Sequence, residues 1–545
     1  MLKDNKKEKL VVYWSRRDFR LHDNPALSEA IKYSKENDTP LLPLFILEDY
    51  MCRADTDFQF GYAQRFFLSK ALPSYAEHFE QFLILKGKAA TSLIEISEIF
   101  DVKIFVNEDV YTDFYKQIKK LEMIAAKNSE GEKNEKTDNI ENKSSLEVFV
   151  IPDMLTANRE TRSGTGNYYS VFTPFKKAIW REFLNAKVYE KVNTKNINYI
   201  DNKNFEKIKE IFENRNNATT ISKTGEKNKI TQENIFSFFN ENRKIKVGNI
   251  TLDIDVILGD ANLDNKTGTK QDLNIWSYTE EENLRNFKKY VKENISNYEA
   301  DRNSLELDLT SKMSPALSWG LVSARTIKDI IMSSDIDRKD FENIFSLKAI
   351  PEKYVGATCY VSELIWREFY KYLMYRKPEL MDTEFQEKFR GTIKWVDNSE
   401  AQKRFIAWIQ GKTGYKVVDA AMMQLAKTGW MHNRSRMIVA SILTKNLGVD
   451  WRWGQEYFRA MLIDLDEASN NGGWQWGASV GADPKPIRIF NAYLQAENYD
   501  KNNVYQKKWL SDTDFYFGPE PIIEHKLARD QAIQRYKLAS GGEVD

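Results

Sequence analysis

The chain has 545 residues, enough for two or three domains, with a formal net charge of zero. Its aromatic fraction, 13%, is high, and zero net charge leaves nucleic acid open, because DNA responds to local basic patches. Only two cysteines occur, Cys52 and Cys359, which excludes a disulfide framework and a cysteine-based zinc or iron–sulfur site; no metal is expected.

In chain order, the N-terminal "MLKDNKKEKL" has no apolar signal core, and no later run is long enough to span a membrane. This predicts a soluble, cytoplasmic protein of a reducing compartment. "LVVYWS" (Leu10–Ser15), "PLLPLFIL" (Pro40–Leu47), "VKIFVNE" (Val102–Glu108) and "LEVFVIP" (Leu146–Pro152) read as buried parallel strands. Helical segments, Gln64–Phe82 and Thr91–Phe100, lie between them. The pattern predicts a Rossmann-like α/β domain over 9–190.

Two polar passages interrupt it. Residues 127–145 are rich in Lys, Glu, Asn and Ser and read as a solvated insertion. Residues 191–275 read as an interdomain linker with a low-complexity insertion. From Tyr278 onward strand signals vanish, and apolar residues recur at helical spacing, which predicts a large all-helical domain over 276–540.

Several groups in this half combine polar and aromatic residues. "TSKMSPALSWG" (Thr310–Gly320) offers hydroxyls and then Ser-Pro, a helix start whose free N–H groups suit phosphate; an ordinary cap fits it as well. "SELIWREFY" sets Glu363, Trp366 and Arg367 on one helix face, and "WMHNRSRM" does so with Asn433, Arg436 and Met437. Core packing with a salt bridge explains either group alone. In "NNGGWQWGASVG" (Asn470–Gly481), Trp474 and Trp476 are two apart and so face different ways on a strand or a helix.

Taken together and in order, these motifs, with "GKTGYKVVDAAM", "DWRWG", "RIFN" and the N-terminal "VVYWSRRDFRLHDNPAL", resemble the photolyase/cryptochrome family. "SVFTPFKKA" (Ser170–Ala178) and "FGPEPIIEHKLAR" (Phe517–Arg529) resemble its domain edge and C-terminal segment. The likeness covers the α/β region and the helical half but not the polar insertions, and its closest branch is the class I cyclobutane pyrimidine dimer (CPD) photolyases.

That resemblance implies an α/β antenna domain and an all-α FAD-binding domain, with reduced FAD driving light-dependent splitting of dimers in DNA. Tyr298, Thr310, Ser311, Lys312, Met313 and Ser314 match the cofactor's phosphate-binding segment, and Glu363, Arg367, Asn433, Arg436, Asp464 and Asp466 match further flavin contacts. An aspartate held against an arginine, as in the Arg436–Asp464 pair, should stay ionised even when buried. Asn470 matches the position facing flavin N5, where signalling members carry Asp or Cys.

The lesion pocket is expected from Trp366, Trp476 and Met437, with Glu363 as partner to the dimer carbonyls and Asn433 beside it. In (6-4) photolyases histidines stand where this chain has Asn433 and Met437; DASH-type cryptochromes usually have tyrosine in place of Trp366. Arg302, Arg434 and Arg488 match DNA-phosphate contacts. Trp474, Trp451 and Trp395 match the tryptophans that pass electrons to an oxidised flavin, although large core residues read the same way.

Asn107 and Glu108, at a strand end, match contacts of an antenna chromophore, either methenyltetrahydrofolate or a deazaflavin; Cys52 and Arg53 lie in the loop opposite. A strand-end loop without a ligand is the alternative. The expected partner is dimer-containing DNA, and the expected state a monomer. Two rivals remain: a DASH-type or photosensory cryptochrome, and a non-catalytic flavin- or nucleotide-binding protein of the same fold. The short tail after Arg535 favours repair over signalling.

Overall fold

The computed structural model describes residues 7–48, 51, 61–110, 112–130, 146–153, 158–213, 221–223, 230–236, 244–247, 250–253, 273–482 and 487–542. Cys52, Arg53 and residues 131–145 lie outside them.

Five strands form the parallel sheet: β1 (Lys9–Ser15), β2 (Leu41–Leu47), β3 (Phe82–Lys86), β4 (Asp101–Asn107) and β5 (Leu146–Ile151). A short β6 (Ile221–Lys223) adds an antiparallel edge, giving the order β5-β4-β1-β2-β3-β6. All of β2 and all but the first residue of β1 are buried, as strands covered by helices on both faces must be.

The structure differs from the sequence reading at β3. The helix expected over Gln64–Phe82 spans Tyr62–Ala76 and carries Pro73 in its last turn, and Phe82 opens a strand. The run "FLILK" is apolar at nearly every position, so periodicity alone does not distinguish a buried strand from a helix. Within the polar passage 191–275, the helix Asn202–Glu213 buries Phe205, Ile208 and Phe212 in the cluster that holds Val12, Leu44 and Ile104 of the sheet. The hairpin of β7 (Lys244–Val247) and β8 (Ile250–Asp253) packs instead on the helix Trp451–Met461, with Leu252 in the core of the helical half.

Beyond residue 273 the described secondary structure is helical. The two halves share one core and a buried ionic network. Arg20 pairs with Asp153 at 2.7 Å, and Arg325 with Asp23 at 2.9 Å and Asp153 at 2.6 Å. Glu280 accepts the backbone N–H groups of Leu21 and His22 at 2.8 and 2.9 Å. Gly320 lets the chains approach: at φ +67°, a Cβ there would sit 1.9 Å from the Arg17 carbonyl oxygen. No described helix is long and apolar enough to cross a membrane.

Candidate functional site

A cavity of about 490 Å³ opens in the helical half, within the range of small-molecule and cofactor sites. Four segments build it. The long helix Glu352–Arg376 supplies Glu363, Trp366 and Arg367; the helix Asn433–Ser441 supplies Asn433, Arg434, Arg436 and Met437. The loop before Glu467 and the helix Glu467–Gly477 supply Asp464, Asp466, Asn470, Trp474 and Trp476. Ser314, Leu317 and Ser318 close one side and Arg302 another.

Each of these helices is placed by its own sequence. His432 caps the second, its Nδ1 accepting the Arg434 N–H at 3.2 Å. Burial drives the His432 pKa down to about 4, so the imidazole is neutral and can accept. Asp466 caps the third by accepting the Ser469 N–H at 2.9 Å. The expected phosphate-binding helix start is smaller than its motif suggested: Ser314–Ser318 is barely one turn. Around it, Ser311 bonds the Tyr360 hydroxyl at 2.8 Å, Lys312 reaches Asp308 at 2.9 Å, and Ser314 accepts the Trp430 indole N–H at 3.1 Å. Met313 is buried, and Tyr298 lies against Tyr360 with ring centroids 4.7 Å apart.

Three ion pairs stand in the cavity. Arg436 holds Asp464 at 2.7 Å, Arg367 holds Asp466 at 3.3 Å with Lys371 at 3.9 Å, and Arg302 holds Glu363 at 2.7 Å. Burial pushes the Glu363 pKa up, and Arg302 and then Lys176 oppose it. Burial also works against the Asp466 carboxylate, but Lys371 and Arg367 outweigh it and hold its pKa below the ordinary range.

Several buried polar atoms in and beside the cavity have no hydrogen-bond partner, among them Arg302 Nε, Arg434 Nε, Asp464 Oδ1, Asn470 Oδ1, Trp474 Nε1 and Thr310 Oγ1. Buried polar groups are ordinarily satisfied, so such a cluster marks where a polar ligand belongs. The Asn470 amide nitrogen is already committed, donating to the Gln455 carbonyl at 3.1 Å, and this leaves its oxygen as an acceptor. The donor and acceptor set, the cationic residues and the cavity volume fit a dinucleotide cofactor.

The two tryptophans of "NNGGWQWGASVG" divide as their spacing requires. Trp474 is 1% exposed and turns into the core, edge-on to Phe458 at 5.0 Å and to Trp408 at 6.0 Å. Gly454 makes room for it, since a Cβ there would stand 2.1 Å from the indole. Trp476 turns to the cavity and meets Phe490 at 6.1 Å. Trp366 stacks on Phe172 with centroids 3.5 Å apart.

Trp451, Trp395, Arg488, Asn107 and Glu108 lie outside the cavity lining. Trp451 is fully buried, its N–H toward Glu384 at 3.4 Å, and Trp395 is half-buried. Arg488 is exposed, and Arg434 packs over the Tyr499 ring at 4.2 Å. Asn107 is spent within the fold: its amide donates to Asp18 and Asn24 and accepts from Ala26 N–H. Glu108 pairs with Arg159 at 2.5 Å and faces a second, smaller cavity between the two halves, lined also by Arg16 and Lys371. Sequence reasoning missed Phe172, Lys371, Trp408 and Trp430. Trp430 stands two residues before His432 in a motif already singled out, and Lys371 lies one turn after Arg367 on the same helix; Phe172 and Trp408 are brought to the site by packing across long separations.

Fold and cavity together define an α/β half joined to a helical half that carries a cofactor-sized cavity. Residues 11–193 match the family described as DNA photolyase, and residues 360–516 match the FAD binding domain of DNA photolyase. The deoxyribodipyrimidine photo-lyase of Neurospora crassa is 30% identical over 585 residues, covering 97% of this chain and 81% of that protein. Those of Vibrio cholerae and Escherichia coli are 37% and 36% identical over 46% and 48% of this chain and 54% and 56% of their own. Against these two the chain spans about half the relative's length.

Among solved structures, a class III photolyase from Agrobacterium tumefaciens matches with a TM-score of 0.70, 24% identity and coverage of 99% of both chains. A cryptochrome from Synechocystis matches with a TM-score of 0.70, 20% identity, and 98% and 100% coverage. The chain belongs to the photolyase/cryptochrome family, and its helical half is an FAD-binding domain.

Proposed function

We propose that the protein is a deoxyribodipyrimidine photo-lyase acting on cyclobutane pyrimidine dimers in DNA. The reading rests above all on the cavity wall of Trp366, Trp476 and Met437 across from Asn470, with no histidine among its lining residues. Bound and reduced, FAD supplies the photoexcited electron that splits the dimer and then returns.

The chain's residues do the rest. A dimer stacks poorly and is cheap to flip from the duplex. Trp366 and Trp476 offer aromatic faces to the flipped bases, worth roughly 1–3 kcal/mol per base, and Met437 adapts to them. Glu363 is placed to meet the pyrimidine carbonyl oxygens, and burial favours the protonated form that donates a hydrogen bond. Arg434, Arg488 and Arg302 supply phosphate contacts without reading sequence. Arg436 with Asp464, and Arg367 with Asp466, would hold the cofactor, and Asn470 Oδ1 would offer the flavin an acceptor without delivering an acid.

Trp474 begins the path that reduces an oxidised flavin, with Trp451 and Trp395 as further members. Glu108, facing the smaller cavity, marks the place of an antenna chromophore, while the Asn107 amide is taken up inside the fold. The protein acts as a monomer in the cytoplasm. A second reading, a DASH-type or photosensory cryptochrome, is favoured by the equal likeness to the Synechocystis fold. Blue light on the reduced, anaerobic protein with CPD and (6-4) oligonucleotides, single- and double-stranded, tests the choice. Repair of CPDs in duplex supports the photo-lyase; repair confined to single strands supports the DASH-type reading.

A further inference from the structure

Lys445 is 2% exposed and sits in a π-helical turn, Ile442–Asn446, whose five residues are all buried. Such turns re-aim side chains and recur at functional sites. Here Ser441 and Lys445, one helical repeat apart, face the segment that carries Arg488 and Phe490. The Lys445 ammonium donates to the Arg488 carbonyl, and Ser441 Oγ accepts the Phe490 N–H at 3.4 Å. Phe490 in turn braces Trp476, which lines the cavity. A buried ammonium is costly unless it is hydrogen-bonded, and this one spends its bond on backbone rather than on a carboxylate.

We infer that Lys445 is a positioning residue for the DNA interface: through the Arg488 carbonyl it fixes the segment that presents the Arg488 guanidinium and braces Trp476. The inference rests on the photo-lyase reading. Burial, reinforced by the Arg488 charge, brings the Lys445 pKa down to about 7, so the clamp loses its charge near neutrality. The groups around the turn are Arg488 on the clamped segment, Arg535, His525 and Tyr536 on the helix His525–Ala539, and Tyr415 beside Asn446. Arg535 binds the Lys445 carbonyl at 3.3 Å, and His525 meets Asn446 at 3.1 Å.

The test is a titration of FAD-loaded protein with a thymine-dimer duplex and its undamaged counterpart, across neutral pH and at several salt concentrations. Wild-type affinity for the dimer duplex is expected to fall as pH rises through about 7. Lys445→Met should bind roughly tenfold more weakly at low pH, the scale of one charge-assisted hydrogen bond, and lose that pH step. Its salt slope should fall by about one, as in Arg488→Ala. Lys445→Arg, which keeps a cation through the range, should stay tight at high pH, and adding Lys445→Met to Arg488→Ala should cost little more. Wild-type affinity and salt slope in Lys445→Met overturn the inference, as does an unchanged pH step in Lys445→Arg. Wild-type protein with no preference for dimer DNA overturns the photo-lyase reading itself.

Discussion

The Arg302 guanidinium holds the Glu363 carboxylate at 2.7 Å on the rim of the cavity, with the Cys359 thiol 3.8 Å from the same arginine. An arginine engaged in this way is not yet on a phosphate, and a carboxylate engaged in this way is not yet a donor. In the proposed reaction, lesion binding would trade one arrangement for the other. Glu363→Ala removes the donor and is predicted to lower the repair quantum yield several-fold, matching a lost hydrogen bond of about 1–3 kcal/mol. Glu363→Gln, which keeps an N–H donor, should recover part of it. Equal yields for wild type and Glu363→Ala, measured on pre-reduced protein, would remove Glu363 from the mechanism.

Both tryptophans border the cavity, but Trp474 is packed into the aromatic core while Trp476 is only half-buried, so substitutions should separate the two tasks. Trp474→Phe is predicted to slow photoreduction of oxidised flavin by at least tenfold and to spare repair by pre-reduced protein. Trp476→Ala should weaken dimer binding by roughly 1–3 kcal/mol and leave photoreduction in place. Flash photolysis and a dimer-binding titration read the two effects; equal loss of both activities in Trp474→Phe contradicts the division.

Asn470 has its nitrogen on the Gln455 carbonyl and its oxygen unpartnered. Asn470→Asp puts a negative charge where a reduced, anionic flavin must sit, and like charges disfavour one another. The midpoint potential of the bound flavin should move negative, read by anaerobic redox titration, and an unchanged potential would place Asn470 elsewhere.

The interdomain network makes a stability prediction. Arg20 and Arg325 overcome the burial penalty on Asp153 and hold its pKa well below the ordinary carboxylate range. A depressed folded pKa contributes stability that is present above the unfolded value and lost as pH falls toward the folded one. Denaturant unfolding should therefore show destabilisation setting in below about pH 4. Asp153→Asn should cost about 3–5 kcal/mol at neutral pH, because it takes the carboxylate partner from buried Arg20 and one of two from Arg325. A variant as stable as wild type would mean the network adds nothing.

What could be read from sequence followed from spacing. Glu363, Trp366 and Arg367 share a helix face, and Trp474 and Trp476 diverge, because three, four and two residues fix angles on a helix. Periodicity failed at Phe82, where a continuous apolar run has no period. Contacts between distant residues leave no such trace: Phe172 on Trp366, Trp408 against Trp474, and Lys445 under the Arg488 carbonyl join residues 43 to 194 positions apart. The same limit hid the fate of Asn107, whose amide is consumed by Asp18, Asn24 and Ala26 inside the fold.

The central claim is that the cavity receives a flipped pyrimidine dimer and returns two intact bases. Its most direct measurement is a single-turnover flash experiment: reduced, FAD-loaded protein, anaerobic, with a duplex carrying one thymine dimer. The account predicts recovery of thymine absorbance after each flash, none in the dark, and no net change in flavin redox state over the cycle. Flavin excitation that leaves the dimer intact would contradict it.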